Sequence, residues 1–132
     1  MFKKLAVALG LLMAIPVVQA EAASKTFNHP TITMKAGNRA GLQNVFAWDA
    51  KCRTVPVSVQ ANRAKLGKVY LYKSSFKVPR SQSRECAGRT VRGYKVVFKA
   101  DKNAKGSTLV SYQIQSGNVN GTFKFRRTLR IK

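Results

Sequence analysis

Few side chains in this sequence are of the kinds that make or break bonds. There is one histidine, His29, and four carboxylates, Glu21, Asp49, Glu85 and Asp101, with no two close together along the chain. General acid–base work needs a histidine or a pair of carboxylates within reach of one proton. Only Asp49 and Glu85 stand to be brought together, because each lies near a cysteine. Among so many cations such a carboxylate is expected to be ion-paired rather than catalytic. The stretch Gly37-Asn38-Arg39-Ala40-Gly41 is glycine-rich but lacks the strand-to-helix setting of a phosphate loop. Cys52 and Cys86 are too far apart for a Cys-x-x-Cys redox pair, and two cysteines with one histidine do not complete a four-ligand metal site. No catalytic residue, metal, cofactor or small-molecule substrate is expected, and the chain reads as a non-enzyme.

Positive charge is abundant instead. The 132 residues carry 25 Lys and Arg against four acids, a formal charge of +21. The chemistry open to such a chain is electrostatic association with an anionic polymer or with membrane-surface phosphates. The clearest arrangement is at 121–132, GTFKFRRTLRIK. Taken in steps of two, Phe123, Phe125, Arg127, Leu129 and Ile131 fall on one side, and Lys124, Arg126, Thr128, Arg130 and Lys132 on the other. Successive side chains of a strand point to opposite faces, so this is a half-buried strand whose exposed face is a cation ladder with rungs about 6.6 Å apart. Arg127 breaks the apolar side, which points to a bulge or a sheet rim there. Lys124, Arg126, Arg130 and Lys132 are the expected anion-binding residues, joined by Lys95 and Lys99 if their strand shares the sheet. The competing reading is that a closing strand lies at a sheet edge, where lysines only block aggregation. Tyr70 and Tyr72, flanked by Lys68 and Lys73, offer stacking beside cations as nucleic-acid binders use. Packing on the second face of their strand is the preferred expectation.

The N-terminus places Lys3 and Lys4 before an apolar run at 5–15, then Pro16 and Val18-Gln19-Ala20. This is a secretory signal pattern over 1–20, and the apolar run is too short to span a bilayer. An uncleaved anchor is the alternative. Cleavage is expected before Glu21, with a second site before Ala23. It leaves 23 basic and four acidic residues, a formal charge of +19, and no transmembrane segment. That charge exceeds the magnitude of about 2–8 that solubility asks of a small domain. The expected location is the periplasm or the cell exterior. An oxidising compartment and an even cysteine count favour a Cys52–Cys86 disulfide over two buried thiols.

The elements that must position these residues read as short strands. Residues 21–30 are polar and expected to be a flexible leader, and 31–132 a single domain. Strands are expected at 31–35, at 42–48 (Leu42, Asn44 and Phe46 against Gln43, Val45 and Ala47) and at 55–59, where Pro56 places its strand at an edge or points its nitrogen away from a neighbouring strand. Further strands are expected at 68–73 and 91–100. Those at 107–115 and 122–131 should pair as a hairpin. Residues 79–90 read as a long loop tied by the disulfide, with Trp48 as a plug against it. No helical periodicity is sustained after the signal. Alternating strands with turn signals in about 100 residues indicate a β-sandwich.

Several stretches then add a likeness: 45–52 ending in Cys52, Val55-Pro56-Val57, Gly67-Lys68-Val69, Cys86-Ala87-Gly88, 93–98 and 106–114. In this order they resemble the small exported Ig-like or cadherin-like β-sandwich domains of alphaproteobacteria. The resemblance covers about 32–131 and implies an Ig-like antiparallel sandwich. It implies no activity, since such domains mostly lack an assigned function. The turn Asn103-Ala104-Lys105-Gly106-Ser107 lacks the aromatic and acidic residues those domains carry there, and four scattered acids do not make a cadherin-type calcium site. The reading reached from sequence is an exported, non-enzymatic basic binding module for an anionic envelope component (lipopolysaccharide, anionic lipid or acidic glycan) or an extracellular polyanion. The alternatives are a protein-interaction domain with incidental charge and, behind it, a nucleic-acid binder.

Overall fold

The computed structural model describes residues 7–9, 13–15, 24–117 and 121–132. The expected signal peptide therefore lies largely outside the described residues. Two short strands within it, β1 (Val7–Leu9) and β2 (Met13–Ile15), pair antiparallel. Eight more strands follow: β3 (Ser24–Met34), β4 (Arg39–Trp48), β5 (Thr54–Val55), β6 (Val57–Ala61), β7 (Gly67–Lys77), β8 (Thr90–Ala100), β9 (Gly106–Ser116) and β10 (Thr122–Ile131). They form two four-stranded sheets, ordered β3-β10-β9-β6 and β5-β4-β8-β7. The fold is an all-β sandwich of two sheets. Every pairing in these two sheets is antiparallel except that of β3 with β10.

The alternation of apolar residues sets the layers. Val45, Val96, Phe98, Val110, Tyr112, Ile114, Phe125 and Leu129 are sealed between the sheets. Phe125 stacks on Phe27 at 5.2 Å and on Tyr112 at 5.6 Å between ring centroids. The expected 107–115/122–131 hairpin is present, running from Phe123 opposite Ile114 to Ile131 opposite Gly106. The proline strand is split: β5 pairs with β4 in one sheet, and β6 with β9 in the other. Pro56 sits at the crossing, where its missing N–H costs no ladder bond.

A second apolar cluster lies outside the sandwich. Phe46, Trp48 and Val91 point away from the main core and are covered by Val78 and Cys86. The Cys52–Cys86 disulfide, with Cα atoms 5.3 Å apart, holds the 79–89 loop over them. Gly93 makes this possible, because a Cβ there would stand 2.0 Å from the Val45 carbonyl and 2.8 Å from Phe46 Cβ.

Three expectations are corrected. The leader is strand from Ser24 onward, because Thr26, Asn28 and their neighbours fill a parallel pairing along β10 despite their polarity. Leu42 does not share a side with Asn44 and Phe46. It is the extra residue of a bulge between Gly41 and Gln43, so Leu42, Gln43 and Val45 all turn inward. The strand carrying Lys95 and Lys99, β8, belongs to the sheet opposite β10, since it pairs with β4 and β7. Those two lysines therefore cannot join the ladder.

Candidate functional site

On β10, Phe123, Phe125, Leu129 and Ile131 are buried while Lys124, Arg126, Arg130 and Lys132 are exposed. The ladder follows from the strand period once the apolar set faces the core. β10 is not an edge: β3 lies on one side of it and β9 on the other. The aggregation-guard explanation loses its premise for this strand and applies instead to β7, a true edge that carries Lys68, Lys73 and Lys77.

The neighbours of the ladder are polar and uncharged. Gln113, Ser111 and Ser107 of β9 stand opposite Lys124, Arg126 and Arg130, and Thr26, Asn28 and Thr33 of β3 flank the same three cations. Beyond β9, Asn62 Nδ2 donates to Ser111 Oγ at 2.8 Å. None of the eight sandwich strands contains an Asp or Glu. Among the described residues one ion pair forms, Arg53 with Asp49 at 3.0 Å. The ladder cations thus have no internal counter-charge to displace before they meet an external anion.

Arg127 behaves differently from the rest of β10. Between the Arg127–His29 and Leu129–Ile32 pairs, β3 carries one more residue than β10, so the irregularity expected at Arg127 is a bulge of β3 at Pro30-Thr31. The Arg127 guanidinium donates to the Pro30 carbonyl at 3.0 Å and meets His29 Nδ1 at 3.0 Å. It also reaches the Leu42 carbonyl at 3.4 Å, tying β10 to the bulge in the opposite sheet. Arg127 is a cross-link between the sheets, and the ladder lacks it.

His29 accepts from that guanidinium only when Nδ1 is unprotonated. Burial and then the Arg127 charge hold its imidazole below the ordinary value of 6.5. Between that lowered value and about 6.5 the unfolded chain binds more protons than the folded one, so stability falls as pH falls through this window. Above about 6.5 the contribution is flat. His29 is the one histidine in the chain, so His29→Gln should remove the difference in urea midpoint between pH 7.5 and pH 5 that the parent shows. An equal drop in both proteins would assign it elsewhere.

Asp49 holds a turn. Its Oδ1 accepts from the backbone N–H groups of Lys51 and Arg53, both at 2.9 Å, and its Oδ2 from Arg53 Nε at 3.0 Å. Desolvation pulls its carboxyl upward, but the Arg53 and Lys51 N–H groups and the Arg53 guanidinium outweigh it and leave the group below the usual range. A general acid needs the opposite shift.

The opposite face carries what the sequence reading set aside. Tyr70 and Tyr72 stand on the solvent side of β7, 37% and 38% exposed. Lys95 lies between Asn44 and Tyr72, and Lys99 between Arg39 and Lys68. The alternation of Val69 and Leu71 with the tyrosines is visible in the chain, whereas the arrival of Arg39 and Lys95 beside them depends on strand order.

No protein-family model and no curated protein sequence matches the chain. Among solved structures, a family 123 glycoside hydrolase from Clostridium perfringens, studied for glycolipid glycan hydrolysis, aligns with a TM-score of 0.46 and 11% identity. The alignment covers 80% of this chain and 22% of that one. A likeness of that size carries no argument about activity.

Proposed function

We propose that this protein is an exported, non-enzymatic basic binding module that associates electrostatically with an anionic envelope component (lipopolysaccharide, anionic lipid head groups or acidic glycan) or with an extracellular polyanion. The observation that carries the reading is the Lys124–Arg126–Arg130 ladder on an interior strand, in a sheet without a carboxylate and bordered by hydroxyls and amides. Cations fix the anionic groups, and the flanking Ser, Thr, Asn and Gln side chains supply hydrogen bonds to the sugar or head-group oxygens between them. Export and a periplasmic or extracellular location belong to the same proposal, supported by the N-terminal pattern and the disulfide. So does kinship with small exported Ig-like domains, which leaves the ligand to be identified by chemistry.

The test is a Lys124→Gln, Arg126→Gln, Arg130→Gln variant, titrated against heparin and against lipopolysaccharide vesicles at several salt concentrations. The three groups are solvated, so the fold should persist. Binding should weaken, and the log–log salt slope should flatten by about 0.7–0.9 per cation lost, taking counterion release on nucleic acids as the yardstick. A folded variant with unchanged affinity and slope would reduce the ladder to a solubilising surface and leave a protein partner as the better reading.

A further inference from the structure

The exposed half of the β4-β8-β7 face is a grid. Cross-strand partners make three rows: Asn44, Lys95 and Tyr72; Gly41, Val97 and Tyr70; Arg39, Lys99 and Lys68. Rows lie about 6.6 Å apart and strands about 4.8 Å apart. The middle row is low and apolar. Gly41 has no side chain, a Cβ placed there would meet nothing within 4 Å, and Val97 is short and buried. Arg39 donates to the Tyr72 hydroxyl at 3.2 Å although β8 separates their strands, so its guanidinium reaches across this floor. The Tyr70 and Tyr72 rings have centroids 6.2 Å apart and planes inclined by 22°. A shallow groove of about 490 Å³ results, with Arg39, Gly41, Tyr72, Lys95 and Val97 in its lining.

Two features of this grid call for an occupant. Like charges directly opposite one another destabilise a sheet, and Arg39, Lys99 and Lys68 stand side by side with no carboxylate on their strands, while Asp101, in the turn two residues beyond Lys99, forms no ion pair with them. An anion relieves that cost. Exposed tyrosines beside a guanidinium plane present flat surfaces on which an unstacked base is held. A glycan would ask for side-chain acceptors, and the face offers few: the Asn44 amide, the Ser74 hydroxyl at the groove's end and two tyrosine hydroxyls, of which Tyr72's already bonds Arg39. That is the reverse of the hydroxyl- and amide-rich β10 face.

We propose that this face binds single-stranded nucleic acid, with bases stacked on Tyr70, Tyr72 and Arg39 and phosphates held by Lys99, Lys68 and Lys95. The site is separate from the β10 ladder and does not rest on it. A duplex hides its base faces, so it meets this surface by charge alone.

The test uses the full chain and fluorescence anisotropy with three probes of matched charge: a thymidine oligonucleotide, the same length of abasic sugar-phosphate strand, and heparin. Tyr70→Ser with Tyr72→Ser should weaken oligonucleotide binding about ten-fold or more, and leave abasic-strand and heparin binding unchanged. Trp48 emission reports that the variant is folded. Gly41→Gln, which fills the floor without changing charge and has space to do so, should also lower oligonucleotide affinity selectively. The Lys124, Arg126, Arg130 triple Gln variant should keep the preference for the oligonucleotide over the abasic strand, whether or not it still binds heparin. Equal losses for oligonucleotide and heparin in the tyrosine variant would assign the face to acidic glycans and overturn the proposal. So would unchanged binding to all three probes.

Discussion

Phe125→Ala should lower the stability of the domain by about 3–5 kcal/mol, the cost of a core phenylalanine replaced by alanine when the cavity does not fully close. Phe125 is completely buried and is the hub of an aromatic cluster, with Phe27 at 5.2 Å, His29 at 5.4 Å and Tyr112 at 5.6 Å. It also lies on an interior strand paired on both sides, so collapse around it would have to move β3 and β9 together. Small domains hold about 5–15 kcal/mol in total, and this one must also hold a large uncompensated charge. The measurement is the guanidinium midpoint at constant slope. A loss under about 1 kcal/mol would mean that the ring is not a core anchor. The contrast with the ladder is sharp: Lys124 and Arg126 flank Phe125, and neutralising them should alter binding with little effect on this midpoint.

Removing the disulfide by Cys52→Ser with Cys86→Ser should cost about 4 kcal/mol by the chain-entropy model for a sequence separation of 34. The structure adds where the loss is felt first. The 79–89 loop covers Phe46, Trp48 and Val91 on the face of the β5-β4-β8-β7 sheet turned away from the main core. The cysteine bridge ties this loop to the turn that Asp49 organises. Without the bridge the cover should lift before the sandwich melts. Trp48 is the one tryptophan and is fully buried, so its emission should shift to the red at denaturant concentrations that leave the far-ultraviolet signal of the strands intact. Coincident transitions at the parent's midpoint would show that the loop is held by its packing and hydrogen bonds alone.

The strand period of two is a local property, and what depends on it could be read from the chain. The inward set Phe123, Phe125, Leu129 and Ile131, the outward set Lys124, Arg126, Arg130 and Lys132, the 107–115/122–131 hairpin and the position of Pro56 at a margin all follow from neighbours a few residues apart. The Cys52–Cys86 link followed from counting two cysteines in an exported pattern. Other features depended on residues far apart in sequence. The polar segment at 24–30 becomes strand because the opposite end of the chain offers it β10, about a hundred residues away. The bulge turns Leu42 inward beside Gln43 and Val45, and Arg127, 85 residues further on, reaches the Leu42 carbonyl. Whether β8 lay beside β10 or opposite it decided whether Lys95 and Lys99 joined the ladder or the tyrosine grid. The alternation within β8 is the same in either sheet, because it records which side is buried and carries no information about which strands do the burying. The sequence by itself therefore determined the faces of each strand and the excess of positive charge. The tertiary structure alone divided that charge between two separate surfaces, since strand order depends on long-range pairing that local alternation leaves open.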